Sequence, residues 1–206
     1  MIKNLSDIEL IALLTASAVL RKEKYFVEIL NTSLAKKISH KKMYEALLQT
    51  YLFAGFPIAL IYLKSFNKIV FKEKRYDGFD LHKYLNRGKK NCKIIYGNKY
   101  DKLISNVKSF SPELAEWLII EGYGKVLGRK GLSLKEREIC NVSILSALKF
   151  DDQLYSHING ALNCKVESKL LKQIIQNLSL ISAKNSSKFG LAVLSNYLSH
   201  KKIYLQ

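Results

Sequence analysis

The chain has 206 residues, 48 % of them hydrophobic, and only two prolines, a composition that supports a packed core and excludes extended disorder. No run of about 18 uncharged apolar residues occurs, and Lys3, Asp7 and Glu9 interrupt the apolar N-terminal positions. No membrane span and no secretory leader are therefore expected, and a cytoplasmic location follows.

The segment from Leu5 to Leu20 reads as a helix, capped by Ser6 or Asp7, with Ile8, Ile11, Ala12, Thr15 and Val19 at helical spacing. A second helix covers about Lys24 to Ala35, and a third starts near Ser39 and runs through Met43, Ala46, Leu47 and Tyr51. Gly55 and Pro57 interrupt the pattern, so Ile58 to Phe66 is either a new helix or one kinked at the proline. From Asn67 to Gly97 the periodicity fails. Asp77-Gly78, Arg87-Gly88 and Tyr96-Gly97-Asn98 are turn signals, which predicts a linker with one or two short helical pieces.

Regular pattern resumes at Tyr100 to Ser109. Ser111 and Pro112 then open a helix through Trp117 to about Tyr123, and Gly128 to Gly131 forms a loop. Ser133 and Glu136 make a capping box for a helix ending at Leu148. Further helices are expected over about Gln153 to Leu162, Ser168 to Ala183 and Ser186 to Tyr204. Strand signals are almost absent, so the fold class is all-α.

The net charge of +17 raises nucleic-acid binding. Only five of the 34 basic residues are arginines, however, and no zinc finger, RNA-recognition or helix-turn-helix pattern accompanies them. Lysine is the poorer choice for bidentate recognition, so nucleic acid is disfavoured and small anionic ligands are favoured. The excess concentrates in residues 64 to 108, which hold 13 Lys/Arg against four acids. Cys92, Cys140 and Cys164 are spaced as neither a disulfide framework nor a metal site, so no metal is expected. Gly122-x-Gly124-x-x-x-Gly128 has the wrong spacing for a phosphate loop and no strand before it. Tyr51, Phe53, Phe56 and Tyr62 are read as core or subunit interface rather than a ligand box.

Internal similarity reorganises this picture. EICNVSILSAL at 138–148 overlays ELIALLTASAV at 9–19, and the helices around Gln176 echo those around Gln49, with a period of about 128 residues. Two generic helical hairpins would give the same impression.

The stretch Gly128-Arg129-Lys130-Gly131-Leu132 through Arg137-Glu138 resembles the G-R-x-G-L-x-x-(K/R)-x-R-E opening of the carboxymuconolactone decarboxylase family. His157, Gly160, Ala161, Leu162 and Val166 are similar to its H-x-x-G-A-L-x-x-x-V segment, and Glu45 through Leu60 resembles its distal E-A-L-L-Q-x-x-x-(F/Y)-A-G-F-P-x-A-L portion. The resemblance implies two alkylhydroperoxidase-D-like helical repeats packed in one compact unit: an N-terminal repeat over 1–66, a basic linker over 67–99 and a C-terminal repeat over 100–206. It also implies a homo-oligomer. In the family's peroxidase branch a glutamate lies 19 residues before a histidine, with a C-x-x-C pair between. Glu138 and His157 keep that spacing, but Phe150 and Gln153 stand at the cysteine positions, which disfavours a thiol peroxidase. The N-terminal repeat has Glu28 at the histidine's place, so at most one repeat keeps a histidine site and the other is architectural.

The chemistry left is that of a cofactor-independent lyase, or a related proton-transfer enzyme, acting on a small carboxylate. His157 would serve as general acid or base and Glu138 would fix its tautomer, while Arg129 or Arg137 would anchor a substrate carboxylate. Each role has a plainer rival: His157 bonded within a helical pair, Glu138 and Arg137 joined as a structural ion pair, Arg129 solvated in its loop. The alternative function is a non-catalytic oligomeric scaffold or binding protein.

Overall fold

The computed structural model describes residues 1–70 and 78–203. Among them there is no strand, and the fold is all-α. The helices are α1 (Asp7–Val19), α2 (Glu23–Ala35), α3 (His40–Gln49), α4 (Tyr51–Ile69), α5 (Leu81–Tyr96), α6 (Tyr100–Phe110) and α7 (Pro112–Trp117). A π-helical segment over Leu118–Val126 follows, then α8 (Leu134–Leu148), α9 (Asp151–Asn163), α10 (Ser168–Asn177) and α11 (Lys184–Ile203).

The two helices at the centre, α1 and α8, start with the same device. The Ser6 N–H donates to Glu9 Oε2 at 2.9 Å, and the Ser133 N–H donates to Glu136 Oε2 at 2.8 Å, which are capping boxes satisfying backbone donors that would otherwise lack partners. α1 and α8 pack against each other, and each is buried all round: Leu10 through Val19 on one, Arg137 through Ala147 on the other. Two buried hydroxyls of α1 are satisfied locally, Thr15 on the Ala12 carbonyl at 2.7 Å and Ser17 on that of Leu14 at 2.8 Å. Ser143 reaches across to the Ala12 carbonyl at 2.9 Å and ties the two helices together. α2 and α3 pack against α1, and α9, α10 and α11 against α8.

α4 breaks at Gly55, whose φ of +75° is left-handed, and Pro57 sits in the first turn of the second piece, where its missing N–H is harmless. The segment after the break is thus a new helix. The expected helix from Ser168 to Ala183 stops at Asn177, and a short 3₁₀ turn and the left-handed Ser182 lead into α11.

The larger departure is α5. The stretch 67–97 was expected to hold only short helical pieces, but residues 81–96 form one helix of 16 residues that packs on the π-helical segment and on α9. Residues 71–77, with Asp77 of the first turn signal, lie outside the described residues. Its buried positions are Tyr84, Gly88, Cys92, Ile95 and Tyr96, a helical stripe carried by residues of middling hydrophobicity. Gly88 is no turn residue. A Cβ there would lie 2.1 Å from the Ile119 carbonyl oxygen, so glycine is what lets the two backbones touch. Arg87 Nε donates to the Gly124 carbonyl at 2.7 Å and Asn91 Nδ2 donates to that of Tyr123 at 3.0 Å, fastening α5 along the π-helical segment.

The helix bounds before and after this central region correspond. A shift of 128 positions carries α2 onto α9, 13 residues each, and α3 onto α10, ten residues each. The same shift carries left-handed Arg21 to Lys149 and left-handed Lys37 to Lys165. Among the described residues no single helix is long and apolar enough to cross a membrane; the bent pair α3–α4 passes that test only when its two members are taken together.

Candidate active site

α8 presents Arg137, Glu138 and Asn141, all with 0 % exposure, and α9 brings His157 opposite them. His157 Nδ1 lies 2.7 Å from Glu138 Oε2. The two residues paired by spacing in the sequence therefore meet. Gly160 makes room for this: a Cβ there would stand 2.9 Å from Glu138 Oε2 and 2.6 Å from Ile95 Cγ2, so α9, the carboxylate and α5 close up on one another only over a bare Cα. Phe53 of α4 sets its ring edge-on to the imidazole, centroids 5.8 Å apart.

α3 carries Glu45 and Gln49, four residues apart and so on one face, opposite Arg137 and Asn141, four apart on α8. They pair rung by rung. Arg137 Nη2 donates to Glu45 Oε2 at 3.0 Å, and Gln49 Nε2 donates to Asn141 Oδ1 at 2.9 Å. Arg137 Nη1 also donates to Gln49 Oε1 at 3.1 Å, and Gln49 Nε2 to the Arg137 carbonyl at 3.2 Å. Asn141 Nδ2 continues the series to Glu138 Oε1 at 3.1 Å. Arg129, in the loop before α8, donates through Nε to both oxygens of Glu45 at 3.0 Å. Glu45 thus holds both arginines expected to face a substrate, and Arg137 Nη2 also reaches the Arg129 carbonyl at 2.9 Å. Burial draws the Arg137 pKa below its ordinary value, against the pull of Glu45.

Glu45, Gln49, Asn141 and Phe53 belong to this network and were not singled out as site residues in the sequence. The E-x-x-x-Q spacing of Glu45 and Gln49 was visible, but its partners lie about 90 residues away and no local pattern points to them. Within the segment 1–66, α3 and α4 contribute three of the side chains gathered here.

His157 keeps 7 % exposure, while Glu138, Asn141, Gln49 and Arg137 have none. Of two described surface hollows, one is walled by Leu20, Lys22, Ser179, Ser182 and Lys184, the other by Lys135, Glu167, Lys169 and Gln173. Neither includes His157. A second cluster lies where α4 meets the π-helical segment: Tyr51 donates to Glu121, which also accepts from Lys125 at 2.9 Å, and burial together with that carboxylate pushes the Tyr51 hydroxyl up to about 12.

The thiols are quiet. Burial, reinforced by the Glu138 charge, pushes Cys92 to about 12 and Cys164 to about 11. Burial also pushes Cys140 to about 12. With an ordinary thiol near 8.5, the thiolate fraction at pH 8 should fall about 10²-fold or more, and alkylation of the native protein should be slower than that of urea-unfolded chain by a similar factor. A native thiol that labels as fast as the unfolded chain would contradict this.

An all-helical chain with a buried His–Glu pair and an amide–guanidinium network behind it is what the geometry defines. No family profile matches the sequence. Over 87 residues the chain is 26 % identical to the 4-carboxymuconolactone decarboxylase of Acinetobacter baylyi, an alignment covering 42 % of this chain and 65 % of that enzyme. The chain therefore spans just under two thirds of that relative's length.

Proposed function

We propose that this protein is a cofactor-independent lyase of the carboxymuconolactone decarboxylase type, or a related enzyme moving a proton on a small carboxylate, with His157 as the acid–base residue and Glu138 as its support. The observation that carries the reading is the 2.7 Å contact of His157 Nδ1 with a fully buried carboxylate. Partial identity to an enzyme named for decarboxylation supports it. In the reaction the bond to the leaving carboxylate breaks and carbon dioxide departs. The electron pair stays on the substrate carbon as an enolate-like carbanion, and imidazolium His157 delivers a proton to it from Nε2. Because Glu45 holds both Arg129 and Arg137, a substrate carboxylate would have to share Arg129, the more exposed of the two, with it.

The two four-helix sets, α1–α4 and α8–α11, are read as repeats of one unit. The common helix lengths and left-handed positions support this. One histidine site then survives between them, built with side chains from both. Exposed Phe56 and Leu60 on α4, and Phe110, Leu114 and Trp117 around α7, support a homo-oligomer. A non-catalytic scaffold is the second reading, favoured by the commitment of both arginines to Glu45.

The test is a turnover screen of small carboxylates starting with 4-carboxymuconolactone, read as carbon dioxide release, with thermal shift in parallel. A catalysed release abolished by heat denaturation is expected. Stabilisation without release would establish the binding-protein reading, and neither signal across the panel would overturn the enzyme.

A further inference from the structure

The amides between Arg137 and Glu138 have a polarity, and it bears on what His157 can do. A guanidinium only donates hydrogen bonds, so the end of Gln49 that lies 3.1 Å from Arg137 Nη1 must be its oxygen. The other end lies 3.2 Å from the Arg137 carbonyl, an acceptor, and must be its NH₂. Arg137 therefore locks Gln49 from both sides. The same NH₂ stands 2.9 Å from Asn141, so Asn141 turns its oxygen to Gln49 and its own NH₂ to Glu138, at 3.1 Å. This assignment follows from the chemistry of the partners, not from the similar outlines of oxygen and nitrogen.

Glu138 then receives a donor on Oε1 and is held as an acceptor. For the ionised carboxylate, which only accepts, Oε2 at 2.7 Å from His157 Nδ1 places the proton of that contact on the histidine. Asn141 Nδ2 is 3.4 Å from His157 Nδ1 but closer to the carboxylate, so its bond goes to Glu138. Every link except His157 has 0 % exposure, so water cannot exchange for any of them.

We propose that Arg137, Gln49 and Asn141 form a directional relay of positioning residues that fixes neutral His157 as the Nδ1–H tautomer, leaving Nε2 as the nitrogen that takes and gives a proton. Gln49 enters from α3 and Asn141 from α8, so the histidine's tautomer is set jointly by helices far apart in sequence. The inference concerns the site of the proposed function, but its test needs no substrate.

The full-length protein, labelled with ¹⁵N, is titrated above the histidine transition and the imidazole nitrogens of His157 are read by NMR. A protonated Nδ1 and an unprotonated Nε2 are expected. A dominant Nε2–H form in the wild type would overturn the proposal whatever the variants do. In Gln49→Leu and, separately, Asn141→Ala, the carboxylate loses its fixed donor, and the preference for Nδ1–H should drop at least tenfold, to a visible mixture. Asn141→Ala leaves the Arg137 contacts in place, which guards against a folding failure in Gln49→Leu. An unchanged tautomer ratio in a folded Asn141→Ala would mean that the amide only packs. If the enzyme reading fails and no substrate turns over, these nitrogen shifts still decide the relay.

Discussion

His157→Ala is expected to lower turnover by roughly 10²- to 10⁴-fold, the usual worth of a positioned acid or base. His157 keeps 7 % exposure where Glu138, Asn141, Gln49 and Arg137 have none, and a free imidazole titrates near neutrality. Truncation to alanine also strips Glu138 of a partner at 2.7 Å, so part of any loss could reflect damage to the fold. His157→Gln separates the two effects: its amide can still donate to Glu138 but has no proton to give to a substrate. Turnover should fall as far in His157→Gln as in His157→Ala, while the melting temperature falls less. Glu138→Gln should reduce turnover by a smaller factor, because the imidazole remains and only its orientation and charge support are weakened. Turnover of His157→Gln within threefold of wild type, measured on the best substrate of the carboxylate screen, would remove His157 from the chemistry.

The second large effect is on stability. Glu45→Ala leaves Arg137, with 0 % side-chain exposure, without its counter-charge, and should destabilise the fold by about 3–5 kcal/mol. For a chain of this size that corresponds to a fall in melting temperature of roughly 6–20 °C. Arg129 softens the loss only a little, since its side chain is 27 % exposed and can turn to water while that of Arg137 cannot. Replacing both members with apolar residues of similar size, Glu45→Leu with Arg137→Met, should recover much of the stability, because an unpaired buried charge is worse than no charge. The double variant should nevertheless lose the tautomer preference of His157, having lost the donor that orients Gln49. A loss below 1 kcal/mol for Glu45→Ala, from the shift in urea midpoint, would show that the pair contributes nothing of the kind.

Features encoded by neighbouring residues were legible in the sequence. The cap at Ser6 or Asp7, the capping box at Ser133, the Ser111–Pro112 start and the Gly55–Pro57 break each rest on side chains within four positions of one another, and each marks a boundary in the structure. The His157–Glu138 contact was legible for a different reason: a resemblance supplied the spacing. α5 was obscured because its buried stripe uses Tyr84, Gly88, Cys92 and Tyr96 among many lysines, and because a glycine serving close helix contact looks the same in sequence as one serving a turn. The Glu45–Arg137 and Gln49–Asn141 rungs join residues 92 apart, and only the packing of α3 on α8 turns two ordinary four-residue spacings into one network.

The pairing of α1 with α8 has a consequence for how the protein is made. α1 leaves the ribosome with Leu10 through Val19 in need of burial, and the helix that covers much of that surface ends only at Leu148. At ordinary elongation rates the wait is roughly 6 to 25 s. For that time the nascent chain carries an apolar helix that α2 and α3 cover only in part, a long-range closure of the kind that slows folding and invites wrong partners. Synthesis of this protein should therefore lean on chaperones that hold apolar segments.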